Sequence, residues 1–282
     1  MLIRVLKTSK VTLSHTFTVD EMLTDAAGAV TVTVKRLDGT DAGSGTASHD
    51  SLGTYSFALT PAAVLDTWTV DWSGSVGGAT VIARDVVEIC GDFLFGLSEA
   101  RTELSIPATV STANLARRRI EVEQEAENIC QVGFVPRFER RTFNGSGTDM
   151  LGTHRRYVRA VRAVSVAGVP WAAPDVAAVG VSDHGVLTRP SALIWPLGVS
   201  NIIVEYEYGM DMPPEEVRTA GKVRLRSVLG RAKSGVPDRA LSFSVADGGV
   251  YRLSTPSRQR TGIPDVDGVY ERYFRPPRAV FA

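Results

Sequence analysis

The residue types that most often build metal sites and nucleophilic centres are few in this chain and far apart. The histidines and cysteines are His15, His49, His154, His184, Cys90 and Cys130. No two histidines have the i, i+4 spacing of a helical metal pair, and no cysteine stands near one. A zinc site needs three or four converging ligands, so the sequence predicts no metal and no cofactor. The cysteines lack C-x-x-C spacing and are predicted to be buried free thiols.

A serine between two glycines is the nearest approach to a nucleophile motif. Gly145-Ser146-Gly147 is similar to part of the G-x-S-x-G elbow of hydrolases, but a predicted strand and a turn flank it instead of a strand and a helix. The stretch 144–149 shares only its composition with a phosphate loop, because it lacks the Lys-Ser/Thr ending and a following helix. We predict a hairpin turn at this position.

The last candidate for catalysis is a run of glutamates, which could supply a pair of carboxylates. The run consists of Glu121, Glu123, Glu125 and Glu127. Their two-residue spacing spreads them around a helix, and three arginines precede them, which favours a solvated face or, for Glu121 and Glu125, an intersubunit or channel-facing one. A hydrolase that uses this run or Asp149 ranks last among the functions considered. We predict that the protein is not an enzyme.

Composition narrows the class of protein. The chain has 282 residues, 44% of them hydrophobic, which predicts about two globular domains. Its 31 Lys and Arg balance 31 Asp and Glu, which excludes a polybasic nucleic-acid binder acting as a monomer. The longest uncharged runs, 51–65 and 190–204, contain proline and are shorter than the ~20 apolar residues of a membrane span. With no secretory signal at its start, the chain is expected in the cytoplasm, with no membrane partner.

The first ninety residues read as β structure. Trp68, Val70 and Trp72 alternate with polar residues, as in an antiparallel strand with one buried face. Similar runs recur about every ten residues with turn residues between them, which predicts a sandwich of immunoglobulin or fibronectin type. Thr60-Pro61 predicts a short helix before Trp68, because proline is favoured at the first helical position.

After Gly91 the pattern changes to helices around a β block. One helix is predicted from a cap at Ser111 or Thr112 to Cys130, and another is predicted to start at Asp211-Met212-Pro213-Pro214. Strands are predicted between them at 138–143, 157–166, 176–181, 185–187 and 201–208. The predicted fold class is α+β, with an immunoglobulin-like all-β sandwich at 1–90, a core of helices with an inserted β block at 91–239, and an extended tail at 240–282.

The last predicted helix carries a row of cations. Arg218, Lys222 and Arg226 follow one another at four-residue spacing, so they share one helix face. One explanation is that cations are favourable toward a helix C-terminus. The other is contact with an acidic neighbouring subunit or with DNA in a channel, where many copies would multiply a weak attraction.

Several segments of the chain resemble the head-to-tail adaptor (connector) proteins of long-tailed phages, especially those of actinobacteria. The longest are IIVEYEYGMDMPPEEVRTAGKVRLRSVL, residues 202–229, and PDRALSFSVADGGVYRLSTPSRQRTGIPDVDGVYERY, residues 237–273. The others are LFGLSEARTEL, residues 94–104, and AENICQVGFVPRFERRTFNGSGTD, residues 126–149. The similarity covers roughly residues 92–275. The first ninety residues lie outside the family core and look like the immunoglobulin-like decorations of phage structural proteins.

The resemblance implies a structural role in the virion neck. Adaptors of this family form a ring of about twelve copies, closed by heterologous contacts. The ring docks to the portal protein, continues the channel for packaged double-stranded DNA, and presents a surface to a stopper or tail terminator. By this resemblance the protein is assembled in the host cytoplasm and located in the head-tail neck.

The same resemblance makes the tail, residues 240–274, the candidate for contact with the portal or a neighbour. The tail hydrophobes lack a clear period and are Leu241, Phe243, Val250, Tyr251, Leu253, Ile263, Tyr270, Tyr273 and Phe274. A segment of this kind can fold on binding, so we expect residues 240–282 to be dispensable for folding. The alternative is that the tail packs back on its own domain.

A second function class also fits the composition. The chain could be a non-catalytic bacterial binding module whose sandwich recognises carbohydrate or protein. Exposed aromatic clusters on the sandwich would favour that function. Tyr55, Trp68 and Trp72 alternate regularly with polar residues, so we assign them to the core of the sandwich instead.

Overall fold

The structure is a computed structural model that describes residues 1–61, 63–190, 193–231, 242–244, 250–252 and 261–275. The chain forms two units. Unit 1 comprises Met1–Asp92, Pro136–Leu151 and Val158–Tyr208, and unit 2 comprises Phe93–Val135, Gly152–Tyr157 and the chain from Gly209 onward. The fold is mixed α+β, as predicted. The predicted boundaries place the β block with the helices, whereas the structure groups it with the first ninety residues.

The described elements follow one another in this order: β1 (Leu2–Leu6), β2 (Val11–Thr16), β3 (Thr18–Val19), β4 (Met22–Leu23), β5 (Thr31–Arg36), β6 (Asp41–Thr46), β7 (Ser48–Ser51), β8 (Thr54–Leu59), β9 (Asp66–Val76), β10 (Ala79–Cys90), α1 (Leu97–Glu103), α2 (Thr112–Cys130), β11 (Arg137–Gly145), β12 (Met150–Gly152), β13 (Val158–Val166), β14 (Val169–Pro170), α3 (Ala173–Ala177), β15 (Gly180–Val181), β16 (Val186–Thr188), β17 (Gly198–Tyr208), α4 (Glu215–Arg231), β18 (Ser242–Ser244), β19 (Val250–Arg252) and α5 (Pro264–Tyr273).

Two sheets in the first part of unit 1 share one core. Their strand orders are β1-β10-β9-β5-β6 and β2-β8-β7. Along β9 every second side chain is buried, as the alternation predicts. The indole of Trp68 donates to Asp66 at 2.9 Å and that of Trp72 to Asp85 at 3.0 Å, so both buried indoles are satisfied. The helix predicted after Thr60 is absent from the described residues there: positions 60, 61 and 65 have no regular structure, and 63 and 64 are bends.

The β block adds a sheet of order β11-β17-β13-β14 and a small sheet of order β12-β16-β15. Its core includes Trp195, Ile202, Val204 and Tyr206. The strand predicted at 176–181 is wrong over its first part, where the chain forms α3. Proline in the first turn of this helix and an acidic residue beside it favour a helical start, and two residues of strand, β15, follow.

Backbone and charge contacts join the β block to the first ninety residues within unit 1. The Gly91 amide donates to the Pro136 carbonyl at 2.9 Å. A Cβ at Gly91 would lie 2.8 Å from the Pro136 ring, so glycine permits this approach. Farther along, the Arg162 guanidinium pairs with Glu207 at 2.8 Å and donates to the Leu65 carbonyl. The β block is therefore anchored on the strands that precede it.

Unit 2 is built around α2, α4 and α5. The Ser111 hydroxyl caps α2 by accepting from the Asn114 amide at 3.2 Å, so of the two predicted caps, Ser111 and Thr112, the first is used. The helix ends at Gln131, which adopts a left-handed conformation with φ 56°. The apolar face of α2, with Leu115, Val122 and Ala126, packs into one core with α4 and α5.

The tail does not remain extended between Pro264 and Tyr273, where it forms α5. Pro264 begins the helix, and the Asp267 carboxylate accepts from the Thr261 and Gly262 amides at 2.8 and 3.2 Å. Val266 and Tyr270 are fully buried against the helices of unit 2. The alternative expectation, that the tail packs back on its own domain, therefore describes this segment, because its apolar residues have helical spacing.

Candidate functional site

The structure does not bring the candidate catalytic residues together. The His15 ring stacks on Trp72 with centroids 5.6 Å apart, and His49 contacts Asp25 at 2.9 Å. Among the residues that the structure describes, no group of three or more His, Cys, Asp or Glu could hold a metal ion. Both cysteines are buried. Burial, reinforced by the charge of Glu127, raises the pKa of Cys130 to about 12, so this thiol stays protonated and is a poor nucleophile.

The serine and glutamate candidates have structural contacts. The Ser146 hydroxyl donates to the Met150 carbonyl at 2.7 Å and so closes the turn after β11. Glu121 pairs with Arg118 at 2.7 Å on the exposed face of α2. The buried Glu123 accepts from the Leu94 amide at 2.8 Å. The glutamates thus lie on different sides of α2 and form no carboxylate pair.

The predicted row of cations on α4 is mostly neutralised by α1. Arg218 donates to Glu99 at 3.0 Å, and Lys222 donates to Glu99 at 3.0 Å and to Glu103 at 2.6 Å. The Lys222 side chain is only 7% exposed. Of the three cations in the row, Arg226 is exposed. We name Glu99, Glu103, Arg218 and Lys222 the α1/α4 ion cluster.

Protonation equilibria in the ion cluster follow from these contacts. The hydrogen bond from Lys222, aided by the Gly96 amide and the charges of Lys222 and Arg218, lowers the pKa of Glu99 below its ordinary value. Burial by itself would lower the pKa of Lys222. Its hydrogen bonds to Glu103 and Glu99 outweigh burial, so the net direction is upward. The cluster therefore holds its charged form at neutral pH and stabilises the packing of α1 on α4.

A second ion pair connects α2 to α4. The Arg224 guanidinium makes two hydrogen bonds to the Glu125 carboxylate, at 2.6 and 2.8 Å. This fork geometry is the strongest form of an Arg–carboxylate pair. Glu125, predicted to face a neighbour or a channel, thus has its partner within unit 2.

The described residues of the predicted tail site fall into different environments. Tyr270 lies in the core, Ile263 and Tyr273 are half-buried against it, and Phe274 is exposed. Phe243, Val250 and Tyr251 lie in the short β18–β19 pair, and their side chains lie outside the described part. Leu241 and Leu253 also fall outside the described residues. Only Phe274 among the described side chains of this set presents a large apolar surface to solvent.

The sequence analysis missed an exposed apolar surface in unit 1, which we name the apolar tip. It consists of Met150, Leu193, Ile194, Leu197 and Val199. Leu197 and Val199 are 81% and 85% exposed. The five residues lie on two segments, 145–150 and 193–199, that hydrogen-bond to each other: the Trp195 amide donates to the Thr148 carbonyl at 2.7 Å. The only sign of this surface in the sequence is the apolar run around Trp195. The same run would equally fit a buried strand, so it does not show which of its residues are exposed.

The apolar tip rests on a rigid frame. Trp195 is fully buried and stacks on Trp171 with ring centroids 5.2 Å apart. The Asn201 side chain accepts from the Gly145 amide and donates to the Pro196 carbonyl, each at 2.9 Å. A Cβ at Gly145 would lie 1.6 Å from the Pro196 oxygen, so only glycine fits. The exposed apolar residues are therefore presented in a fixed conformation.

Comparison with known proteins finds similarity to solved structures but not to known sequences. The sequence matches no protein-family model and no curated protein. The chain is similar to a chain in the neck of an empty GTA particle computed with C6 symmetry, with 12% identity and a TM-score of 0.47. The similarity covers 67% of this chain and 93% of that one. No helix in the described ranges combines the length and the hydropathy that crossing a membrane requires.

Proposed function

We propose that this protein is a structural component of a phage virion neck, a head-to-tail adaptor. About twelve copies would form a ring closed by heterologous contacts. The ring lies between the portal and a stopper or tail terminator, and it continues the channel for packaged double-stranded DNA. The first ninety residues are an immunoglobulin-like decoration of this subunit. The protein acts by assembly and not by catalysis.

The observation that carries this proposal is the apolar tip. Soluble monomers rarely expose large contiguous apolar patches, and such patches mark interaction sites. Leu197 and Val199 are held outward by the frame of Trp195 and Asn201. In a ring, a neighbouring subunit or an adjoining ring would cover them. The resemblance of residues 92–275 to the adaptor family is the reason for proposing a ring in the virion neck as the kind of assembly.

The charge distribution is compatible with a DNA channel. A channel through which DNA passes should not bind it tightly, and binding to DNA strengthens with each phosphate neutralised by a cation. Arg218, Lys222 and Arg224 are engaged by glutamates of the same unit. They contribute little net attraction for phosphate.

The alternative function, a binding module, would need exposed aromatic clusters on the sandwich. Tyr55, Trp68 and Trp72 are buried in the core between the two sheets, as assigned from the sequence. A carbohydrate-binding surface of the usual kind needs exposed aromatic faces. We therefore retain the adaptor as the proposed function.

Electron microscopy of the purified protein, alone and mixed with its portal protein, tests the proposal. We expect monomers or weak oligomers alone and rings seated on the portal in the mixture. The absence of rings in both samples, with a folded protein by circular dichroism, would contradict the adaptor role.

A further inference from the structure

An apolar groove lies between α4 and α5 in unit 2, and we name it the α4/α5 groove. Its volume is about 340 Å³, within the range of protein binding pockets. Ala220, Val223, Val266 and Val269 form its floor, and Val223 is 40% exposed. A floor of this composition gains free energy when the apolar side chains of a partner cover it.

The acidic groups at the edge of the groove do not call for a cationic partner. Glu215 pairs with Arg218 at 3.0 Å, and Glu216 pairs with Arg272 at 2.6 Å. The third acid at the edge, Asp265, is exposed, so water solvates its charge. Exposed carboxylates of this kind add little attraction for a charged partner. The groove is therefore matched best by a surface that is apolar and uncharged.

The apolar tip of unit 1 is a surface of this kind. Its segment 193–199 lies within positions 190–204, one of the two longest runs of the chain without a charged residue. Leu197 and Val199 are 81% and 85% exposed, so their side chains protrude. The Gly147 amide donates to the Trp195 carbonyl at 2.9 Å and helps to fix the tip. A surface that is already held in one conformation loses little entropy when it docks.

We propose that the apolar tip of one copy docks into the α4/α5 groove of a second copy. Leu197 and Val199 of the first copy cover Val223 of the second. The contact joins two different surfaces, so it is heterologous, and its repetition closes a ring where the rotation between copies allows. This inference rests on the proposed ring and names the two surfaces through which neighbours meet.

The small size of the tip determines how strongly two copies associate. Five large hydrophobes form it, whereas a standard interface uses about 20–30 residues on each side. One tip in one groove is therefore a weak contact, which agrees with the expectation of monomers or weak oligomers in the absence of the portal. In a closed ring each copy makes the contact twice, so the two contacts hold it together.

Disulfide trapping of the full-length chain, mixed with its portal protein, tests the docking. The double variant Leu197→Cys/Val223→Cys places one thiol on the tip and one on the floor of the groove. The native cysteines are fully buried and do not compete. On mild oxidation we expect covalent oligomers on a non-reducing gel. They should form at least about tenfold faster than in the control variants, because docking raises the effective concentration of one thiol at the other.

Two control variants each move one of the thiols. Ile82→Cys/Val223→Cys moves the first thiol to another exposed hydrophobe of unit 1, on β10. Leu197→Cys/Gln124→Cys moves the second thiol to an exposed position on α2. Equal rates in the double variant and the controls, in a sample whose micrographs show rings, would overturn the docking and leave the adaptor role standing.

The other products of oxidation identify other occupants of the groove. An intrachain disulfide would mean that the groove takes the tip of its own chain. A covalent dimer of the single variant Leu197→Cys, formed as fast as the oligomers of the double variant, would mean that two tips meet. Either product overturns the proposal. Covalent oligomers that never appear as rings in electron micrographs would support the docking and contradict the proposed ring.

A pair of introduced charges tests the same contact without a disulfide. Leu197→Lys and Val223→Asp each place a charge without a partner in the apolar contact, so we expect each to abolish rings. The chain with both changes should form rings again, because opposite charges then meet across the interface. A folding defect of Val223→Asp would not be repaired by a change on the tip, so recovery separates contact from folding. Normal rings in Val223→Asp would overturn the role of the groove.

Discussion

At the scale of single residues, the chain uses its charged groups to bind its own helices. Lys222 is a long cation in an almost fully buried position, which is tolerated only because its ammonium donates hydrogen bonds to the carboxylates of two glutamates of α1. Glu99 is shared between Lys222 and Arg218. The cluster explains how a helix rich in cations packs against a neighbouring helix without repulsion.

Removal of the buried cation should therefore destabilise the fold. We expect Lys222→Ala to lower the free energy of unfolding by about 1–3 kcal/mol, since it leaves Glu99 and Glu103 without their cation in a partly buried site. The matched control is Arg226→Ala, because Arg226 is exposed and lies one turn farther along α4. This variant should change the free energy of unfolding by less than about 0.5 kcal/mol. Urea unfolding followed by circular dichroism measures both, and equal losses would contradict the role of the cluster.

The pKa shifts of the cluster predict the pH dependence of stability. The folded pKa of Glu99 is lowered, so its contribution is complete above its unfolded value, about 4.3, and is lost as pH falls through the folded pKa. The pKa of Lys222 is raised, so its contribution is complete below about 10.4 and is lost as pH rises through the folded pKa. Glu99→Gln should flatten the fall in stability below pH 5, as measured by urea midpoints between pH 3 and 7. If the urea midpoints of Glu99→Gln depend on pH as those of the unmodified protein do, then carboxylates other than Glu99 cause the loss of stability in acid.

At the scale of elements, one glycine sets how closely α4 approaches the segment before α1. A Cβ at Gly221 would lie 2.7 Å from the Leu94 side chain and 3.1 Å from the Phe95 ring. Both neighbours are buried in the core of unit 2, so neither has room to move away. The apolar face of α4 thus depends on a missing side chain as much as on Val217 and Leu225.

Two glycine-to-alanine changes on the same helix separate packing from helix propensity. Alanine is favoured over glycine in a helix by about 1 kcal/mol. Gly230→Ala should therefore stabilise the protein by up to about that amount, because no described atom lies within 4 Å of its added Cβ. Gly221→Ala should destabilise it by about 1–3 kcal/mol through overpacking. Thermal or urea unfolding measures the stability of both variants. A stabilising effect of Gly221→Ala would show that α4 can move away from Leu94 and Phe95 and would contradict the tight packing.

The last helix changes the expected consequence of truncation. From the sequence, residues 240–282 were expected to be dispensable for folding, but Val266 and Tyr270 complete the core between α2 and α4. We expect deletion of 240–282 to cost several kcal/mol, comparable to losing two large buried side chains, and to expose apolar surface to a hydrophobic dye. Deletion of 276–282 alone should preserve cooperative unfolding. A stably folded protein without α5 would contradict the packing described here.

At the scale of the whole molecule, the described surface exposes large hydrophobic side chains. Its most exposed large hydrophobes include Leu197 and Val199 on the apolar tip. Such residues gain free energy only when a partner covers them, at roughly 25 cal/mol per Å² of apolar area. In the proposed ring, repetition of the same contact would add these modest gains together.

Charge placed on the apolar tip should block assembly without unfolding the chain. We expect Leu197→Asp/Val199→Asp to abolish rings on the portal in electron micrographs while leaving the thermal midpoint within a few degrees. The control is Ile82→Asp, which alters another exposed hydrophobe of unit 1, on β10, and should leave rings intact. Rings formed normally by the tip variant would place the subunit contact elsewhere.

The sequence by itself determined the local elements of this protein. Period-two alternation located β9, a cap at Ser111 or Thr112 with an apolar stripe located α2, and the change of period after Gly91 marked where the first helices begin. These signals lie within a few neighbouring residues. The signal for α5 was present too, in Pro264 and the spacing of Val266, Val269, Tyr270 and Tyr273. The turn-rich residues that precede Pro264 obscure this spacing.

Only the tertiary structure decided which residues are free to act on a partner. Glu99 and Lys222 are 123 positions apart, and Glu125 and Arg224 are 99 apart, so no local period reveals that they pair. In the sequence, nothing distinguishes Trp195 from the apolar residues around it. In the structure Trp195 is buried, whereas Leu197 and Val199 are exposed to solvent. Exposure and ion pairing depend on contacts between distant parts of the chain, whereas helix and strand propensity depend on adjacent ones.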